Sequence, residues 1–489
     1  MTKSTAQPSL FIPGDNCRTV ARFDRFAPLI DGDAYFAALA DALPRARRRI
    51  VIVGWDFNSQ IRLRPQLGEA CPPLGDFLRA VVEANPELEI FVLVWRNSIF
   101  YGANVDIPLS LLPRWSDHPR IHFKLDDVHP FGASHHQKIV CIDGALAFTG
   151  GMDLTQGRWD TPDHAPGHAL RVKDDGEAYR PVHDVQLVVD GQAANAICRI
   201  AAERWEAAGC EPMPDLPEDL PRIWPQGVPP LLTDHALAVA RTLPGDSVQP
   251  QVSEIRSLNE AMLLGARHSI YIESQYFAVP EVAEILAWQL GRTKGPEVVL
   301  VVNRESNGLL EHYVMANNRD HIFALLRHAD RHGRLRTYHP LSCPDPECQI
   351  KVHSKVMIVD DRWMRIGSSN FNARSLGLDT ECDIALEGST PTARKSIARM
   401  RAALLGEHLG IAPAKLAVAA ARERSINSAI DAFNQGPRRL NAYPDLPRET
   451  ELTLAPGSSI LDPDRPIDLG YIWEKLTAPS PLKENPGQS

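Results

Sequence analysis

The chain has 489 residues and carries 52 basic against 61 acidic side chains, a net charge of −9 at neutral pH. That length admits two to four domains and a large core, while the acidic balance argues against nucleic-acid binding through a broadly basic surface. No run approaches the roughly 20 apolar residues of a spanning helix, so no transmembrane segment is expected.

In chain order, residues 1–21 read as a loose arm. They contain Pro8, Pro13 and Asp15 and lack the apolar core of a cleavable secretory signal. Residues 22–210 alternate between two periodicities. Helical spacing covers 35–47 and 74–84, and strand-like apolar runs cover 50–57, 89–95, 120–123 and 184–191. A Pro-rich stretch, 211–244, reads as a linker. Residues 245–415 repeat the first pattern, with helical spacing at 259–266 and 281–290 and strands at 270–277, 297–303, 334–337 and 381–388. In the last segment, 416–489, an Ala-rich helix runs to 433 and a Pro-rich tail follows.

The two long units have the same order of elements, so the chain reads as an internal duplication. Strands alternating with helices predict the α/β class: an α-β-α sandwich with mixed sheets in each half. The expected architecture is two lobes related by a pseudo-twofold axis, with one active site at their interface.

The duplication includes one short motif. His136-Gln137-Lys138 is followed by four apolar residues and Asp143, and His353-Ser354-Lys355 by four more and Asp360. The second copy lies 217 residues after the first (353 − 136). Each is followed at equal distance by a turn of small residues with a polar end, Gly150-Gly151-Met152-Asp153 and Gly367-Ser368-Ser369-Asn370.

In an extended chain, side chains two apart share a face, so each His projects beside its Lys. Two lysines supply positive charge to the non-bridging oxygens of a phosphodiester. One neutral imidazole can attack phosphorus while a second, protonated, supplies the leaving oxygen with a proton. Each His needs an acidic partner to fix its tautomer, and the repeat alignment offers Asp184 and Glu381 at equivalent strand starts. Asp143 and Asp360 are grouped with this catalytic set, and their first expected job is to fix a loop through backbone hydrogen bonds. Asp153, Ser368 and Asn370 are expected at the substrate, where Asp153 and Asn370 orient the lysines or donate locally and Ser368 or Ser369 adds a hydroxyl.

This doubled motif resembles the phospholipase D superfamily across roughly residues 22–410. Gly157-Arg158-Trp159-Asp160-Thr161, His183-Asp184 and the stretch 271–277 are similar to its eukaryotic-type members. The resemblance implies a two-step displacement through a phosphohistidine, without metal or cofactor, with His136 as nucleophile and His353 as acid/base. It implies a glycerophospholipid substrate and hydrolysis to phosphatidic acid, or transfer to an alcohol. Alternatives are a phosphatidyltransferase of the cardiolipin synthase kind and a nuclease. The expected chain is a monomer with peripheral membrane contact, located in the cytoplasm or at a membrane surface, or exported without a cleavable signal.

Other features have ordinary readings. Eight scattered cysteines read as reduced thiols. His339, Cys343 and Cys348 lack the second Cys pair of a zinc site and read as an ordinary loop or an adventitious disulfide. Trp55, Trp95, Trp159 and Tyr276 read first as core and second as pocket lining. The arginines at 45 and 47–49 read as a solvated helix end.

Overall fold

The computed structural model describes residues 9–96, 115–217, 219–245, 250–304, 309–444 and 454–466. The first half contains β1 (Thr19–Ile30), α1 (Asp31–Ala42), β2 (Arg49–Gly54), α2 (Leu74–Ala84), β3 (Glu89–Trp95), β4 (Ile121–Asp126), β5 (Ile139–Ile142), β6 (Leu146–Gly150), β7 (Val182–His183), β8 (Val185–Asp190) and α3 (Gly191–Ala207). The second half opens with β9 (Leu232–Leu243), β10 (Val252–Ser253), α4 (Glu254–Gly265), β11 (Ser269–Ser274), α5 (Pro280–Gly291), β12 (Glu297–Val302) and α6 (Leu309–Ala329). It continues with β13 (Leu335–Leu341), β14 (Lys351–Val352), β15 (Val356–Val359), β16 (Trp363–Gly367), α7 (Ala373–Gly377), β17 (Glu381–Glu387) and α8 (Pro391–Leu409). After it come α9 (Pro413–Glu423), α10 (Ile426–Phe433), β18 (Arg439–Ala442) and α11 (Ser458–Leu461).

The described residues form one 16-stranded mixed sheet, and its order is nearly palindromic. From the centre outward the first half runs β1-β8-β6-β5-β2-β3-β4, and the second runs β9-β17-β16-β15-β11-β12-β13, with β18 added at the edge. The halves join where β1 and β9 pair antiparallel, with Val20 opposite Ala238 and Phe23 opposite His235. Strands β2, β3 and β4 are parallel, as are β11, β12 and β13. Strands of this kind are covered on both faces, which is why β2, β3, β11 and β12 read as near-continuous Val/Ile/Leu runs.

Three apolar layers follow from that sheet. On one face a single cluster crosses both halves and takes in Ile197, Ile200 and Trp205 of α3 and Ile397, Leu404 and Leu405 of α8. On the other face each half has its own layer, under α1 and α2 in the first and under α4, α5 and α6 in the second.

The predicted strands at 50–57, 89–95, 184–191, 270–277, 297–303 and 381–388 all contain sheet strands. The central pair β1 and β9 differs from the expectation. Residues 19–21 belong to β1 and not to a loose arm, and the supposed linker 211–244 carries all of β9. Pro28 sits inside β1 opposite Leu187, and proline in a sequence argues against a central strand. The tail also departs from the expectation, since β18 pairs with β13 through Tyr338 and Ala442. Cys343 and Cys348 form a disulfide, an exception to the general reading of the cysteines as thiols and one of the two readings of this loop; the Pro-containing loop between them brings their Cα atoms to 5.6 Å.

No single helix among the described residues is long and apolar enough to cross a membrane; α8 and α9 pass that test only as a pair bent by 113°.

Candidate active site

The two motif segments lie where the halves exchange backbone hydrogen bonds. His353 N–H donates to His183 O at 2.8 Å, and β14 runs parallel to β7. In the other copy His136 N–H donates to Thr380 O at 3.0 Å, and His135 bridges to Thr380. Each histidine is therefore pinned by the residue just before a carboxylate of the opposite half. Those carboxylates complete a crosswise exchange. Glu381 accepts from His136 Nδ1 at 2.9 and 3.0 Å through its two oxygens, and Asp184 Oδ2 accepts from His353 Nδ1 at 2.7 Å. A carboxylate on Nδ1 leaves Nε2 as the nitrogen available to a substrate. Repeat alignment identified both carboxylates, but it could not show that each serves the other half's histidine.

The lysines are buried beside them. Lys138 Nζ lies 3.0 Å from Asp153 Oδ2 and donates to His136 O at 3.1 Å. Lys355 Nζ donates to His353 O and lies 3.4 Å from Gln275 Oε1, with no carboxylate within ion-pairing distance among the described residues. The motif side chains precede β5 and β15 and stand outside the ladder, so the expected placement on a strand holds only for the apolar residues that follow.

Asp143 and Asp360 have the loop-fixing role expected first for them, and their grouping with the catalytic set does not hold. Asp143 and Asp360 lie beyond the far ends of β5 and β15, five residues from the lysines, or ~16 Å of extended chain. Asp143 accepts from the backbone amides of Arg47, Arg48 and Arg49 at 2.8 to 2.9 Å. Asp360 does the same for Arg267, His268 and Ser269 at 2.7 to 2.8 Å. Both aspartates adopt left-handed backbone, φ 53° and 57°, which Asp tolerates in tight turns. They hold the loops that enter β2 and β11. Asp153 orients Lys138, and its other oxygen accepts from Trp55 N–H at 2.8 Å. Ser368 is fully buried, donates to Glu381 and accepts from Cys382 N–H at 3.0 Å. Of the expected substrate-binding set, only Asn370 keeps a buried carbonyl oxygen without a hydrogen-bond partner.

Electrostatics follow from burial. Burial, then Lys138 and Lys355, hold His136 well below the ordinary imidazole value. Burial, then Lys355 and Arg158, do the same for His353. Burial pushes the Glu381 carboxyl up to about 7 and pulls Lys355 down to about 7. In the unliganded protein both imidazoles are therefore neutral, Lys138 is paired with Asp153, and an anion beside Lys355 would favour its charged form. A phosphodiester supplies one, offsetting the lysines that disfavour an imidazolium.

The other expected residues have structural partners. Trp55 and Trp95 pack at 5.8 Å between ring centroids. Trp159 is buried, and its carbonyl accepts from Tyr179 Oη at 2.8 Å. Arg45 pairs with Asp41 and the Trp224 carbonyl.

Two related family descriptions match the two halves. Residues 42–222 match phospholipase D, and residues 260–402 match the phospholipase D-like domain of cardiolipin synthase. The chain belongs to the phospholipase D superfamily. It is 26% identical to phospholipase D A of Dictyostelium discoideum over 474 residues, covering 78% of this chain and 35% of that protein. It is 24% identical to phospholipase D alpha 1 of Ricinus communis over 544 residues, covering 79% of this chain and 66% of that one. The chain thus spans about one third to two thirds of the length of these relatives. The fold of this superfamily member is also like that of the solved phosphatidylserine synthase of Haemophilus influenzae, with a TM-score of 0.53 at 14% identity, covering 78% of this chain and 88% of that one.

Sequence spacing missed a second polar cluster directly behind His353. Glu273, His183 and Glu407 are fully or nearly buried, and His183 bridges the two carboxylates with its two ring nitrogens. The signal was present in Glu273, a carboxylate inside the apolar run of β11.

Proposed function

We propose that this chain is a phosphodiesterase of the phospholipase D type, cleaving glycerophospholipids to phosphatidic acid and free headgroup through a phosphohistidine intermediate. The observation that carries the reading is the crosswise exchange, Glu381 with His136 and Asp184 with His353. It makes one site from two repeats, so a single chain suffices.

Lys138 and Lys355 bind the non-bridging oxygens. His136 Nε2 attacks phosphorus; its side chain keeps 17% exposure against 6% for His353, so it is the imidazole more open to substrate. The P–O bond to the headgroup breaks, and the departing oxygen takes a proton from His353. His353, now neutral, removes a proton from water as water attacks the phosphohistidine; phosphatidic acid leaves and His136 is restored. An alcohol in place of water gives transphosphatidylation. Asp184 and Glu381 stabilise the imidazolium forms and hold the tautomers. No step requires a metal or an organic cofactor.

Peripheral membrane contact accompanies this reading. The loop between β4 and His135 exposes Val128 (50%) and Phe131 (61%). Arg374 fastens that loop, donating to Gly132 O at 2.8 Å while pairing with Asp379. Exposed apolar side chains on the loop that leads into His135 and His136 fit a bilayer surface.

The cardiolipin synthase description matched by the second half supports a second reading, in which the preferred acceptor is the hydroxyl of another phospholipid. Incubation with phospholipids of mixed headgroup, with and without ethanol, separates these by mass spectrometry. Phosphatidic acid giving way to phosphatidylethanol supports the phospholipase. A phosphatidyl product on an alcohol, with negligible phosphatidic acid, supports the transferase. Turnover of DNA or a generic phosphodiester with no lipid product would move the function to the nuclease class.

A further inference from the structure

Behind the active site lies a second centre that the reaction does not use. Asp31, the first residue of α1, meets His164, His183 and Glu407 in the interior, and all four are buried. Glu407 comes from α8 of the second half; the other three come from the first. One atom of each lies within 4.8 Å of the other three, and Asp31 turns one oxygen towards each histidine. His183 Nδ1 lies 2.5 Å from Glu407 Oε1 and 3.3 Å from Asp31 Oδ1. His164 Nε2 lies 3.1 Å from Glu407 Oε1 and 3.6 Å from Asp31 Oδ2. Nitrogen and oxygen alternate around this ring. Four ligands at about 2.0–2.1 Å from a tetrahedral zinc ion stand roughly 3.3 Å apart, close to the mean of these edges.

Hydrogen bonding alone accounts poorly for the arrangement. Each imidazole nitrogen faces two carboxylates and has at most one hydrogen to give. Asp31 Oδ2 is fully buried and has no hydrogen-bond partner. The remote nitrogens are already engaged: His164 Nδ1 is 2.9 Å from Asp160 Oδ2, and His183 Nε2 is 2.9 Å from Glu273 Oε2. A carboxylate on the far nitrogen is the usual support of a metal-bound imidazole. Those carboxylates are anchored in turn, Asp160 by Arg171 at 2.8 Å and Glu273 by His408 at 3.0 Å and by Ser354 at 2.6 Å. Four buried carboxylates (Asp31, Asp160, Glu273, Glu407) face one guanidinium and two imidazoles, which they hold protonated when no cation is bound; ligation would displace those two protons. A divalent cation replaces the charge those protons carried. Two imidazole ligands disfavour calcium and magnesium, which prefer all-oxygen shells, and suit zinc or a similar first-row ion.

We propose that Asp31, His164, His183 and Glu407 bind one zinc-like divalent cation that fastens the two halves together directly behind His353. The cation is structural and takes no part in the displacement. Its reach to the active site is short: His183 O receives the His353 amide, Ser354 joins Glu273, and the Asp31 amide donates to Asp184 O at 2.8 Å. The ligands of this site are 376 residues apart at their extremes (407 − 31), and no short motif contains them.

The test is the metal content of the full chain after gel filtration, measured by inductively coupled plasma mass spectrometry. About one equivalent of zinc or another first-row divalent ion per chain is expected. His164→Gln and Asp31→Asn should each lose it, while His136→Ala should retain it. Because the first two variants risk misfolding, the wild-type chain is also unfolded in denaturant with chelator and refolded with zinc chloride or without metal. Recovery with zinc alone, or a melting temperature several degrees higher with zinc, supports the site. No bound metal after purification, together with equal refolding and equal melting temperature with and without zinc, overturns it and leaves an imidazolium–carboxylate network.

Discussion

Glu381 and His136 belong to opposite halves of the chain, yet both oxygens of the Glu381 carboxylate lie within 3.0 Å of His136 Nδ1. The pairing fixes which imidazole nitrogen faces the substrate and stabilises positive charge on the ring when it forms. Glu381→Gln keeps the shape and removes the charge. It should lower kcat on the order of 10²-fold or more while changing KM little. Steady-state kinetics on a soluble phosphodiester lipid would check this. A variant within twofold of wild type would show that the carboxylate is dispensable.

The same residue predicts a pH dependence of stability. Burial raises the Glu381 carboxyl from its ordinary 4.5 to about 7, so between those values the folded chain holds a proton that the unfolded chain has released. The resulting stabilisation is fully present below about 4.5 and is lost as pH rises through about 7. Relative to Glu381→Gln, the wild type should lose on the order of 3 kcal/mol between pH 5 and pH 8, from the shift at 1.36 kcal/mol per unit. Urea titrations of both proteins at each pH provide the comparison. A difference that stays flat across that range contradicts the raised value.

Gly151 offers a way to disturb the other pair without touching it. A Cβ added there would lie 2.1 Å from Asp184 Oδ1, and Asp184 cannot retreat while it holds His353. Gly151→Ala should therefore displace the carboxylate, lowering kcat at least tenfold with a modest fall in melting temperature. Gly157→Ala is the control, as its site is open, although its φ of 68° adds a small backbone strain. Equal activity in both variants would mean that Asp184 has room to move.

Asp143 and Asp360 separate structural from chemical roles within the motif. Each carboxylate accepts three backbone amides at the entry to a central strand. Asp143→Ala should cost roughly 2–4 kcal/mol of stability, with kcat per folded molecule near wild type. Activity lost in a variant that melts normally would return the aspartate to the chemistry.

The repeat was legible because each copy of the motif stands in the same frame of apolar strands, and those runs are long where the strands are parallel and covered on both faces. Strands β1 and β9 were not. Each is partly exposed along its length, and Arg22, Asp24, Arg25 and Pro28 break the pattern a buried strand would show. Within the site, residue types and the internal alignment pointed to the histidines, lysines and two carboxylates. Partnership was invisible, because which carboxylate meets which histidine is set by how the halves pack. Asp153 and Ser368 were placed at the substrate since only their position was known. Their hydrogen bonds to Lys138 and Glu381 are facts of packing.

The exposed loop before His135 gives the last prediction, which concerns the lipid surface and leaves the chemistry alone. Phe131 is 61% exposed and Val128 50%, and neither side chain is among the groups that hold the phosphodiester. Burying one aromatic side chain in a bilayer contributes roughly 1.5–3 kcal/mol, and 1.4 kcal/mol is a factor of ten in binding. Phe131→Asp should therefore lower turnover of phosphatidylcholine vesicles about tenfold or more, through weaker vesicle binding. Hydrolysis of a short-chain monomeric phospholipid should be unchanged, since that substrate reaches the site without the membrane. Sedimentation of the protein with vesicles, run beside both assays, locates the defect. Equal losses on both substrates would place Phe131 in the active site, and no loss on either would remove this loop from the membrane contact.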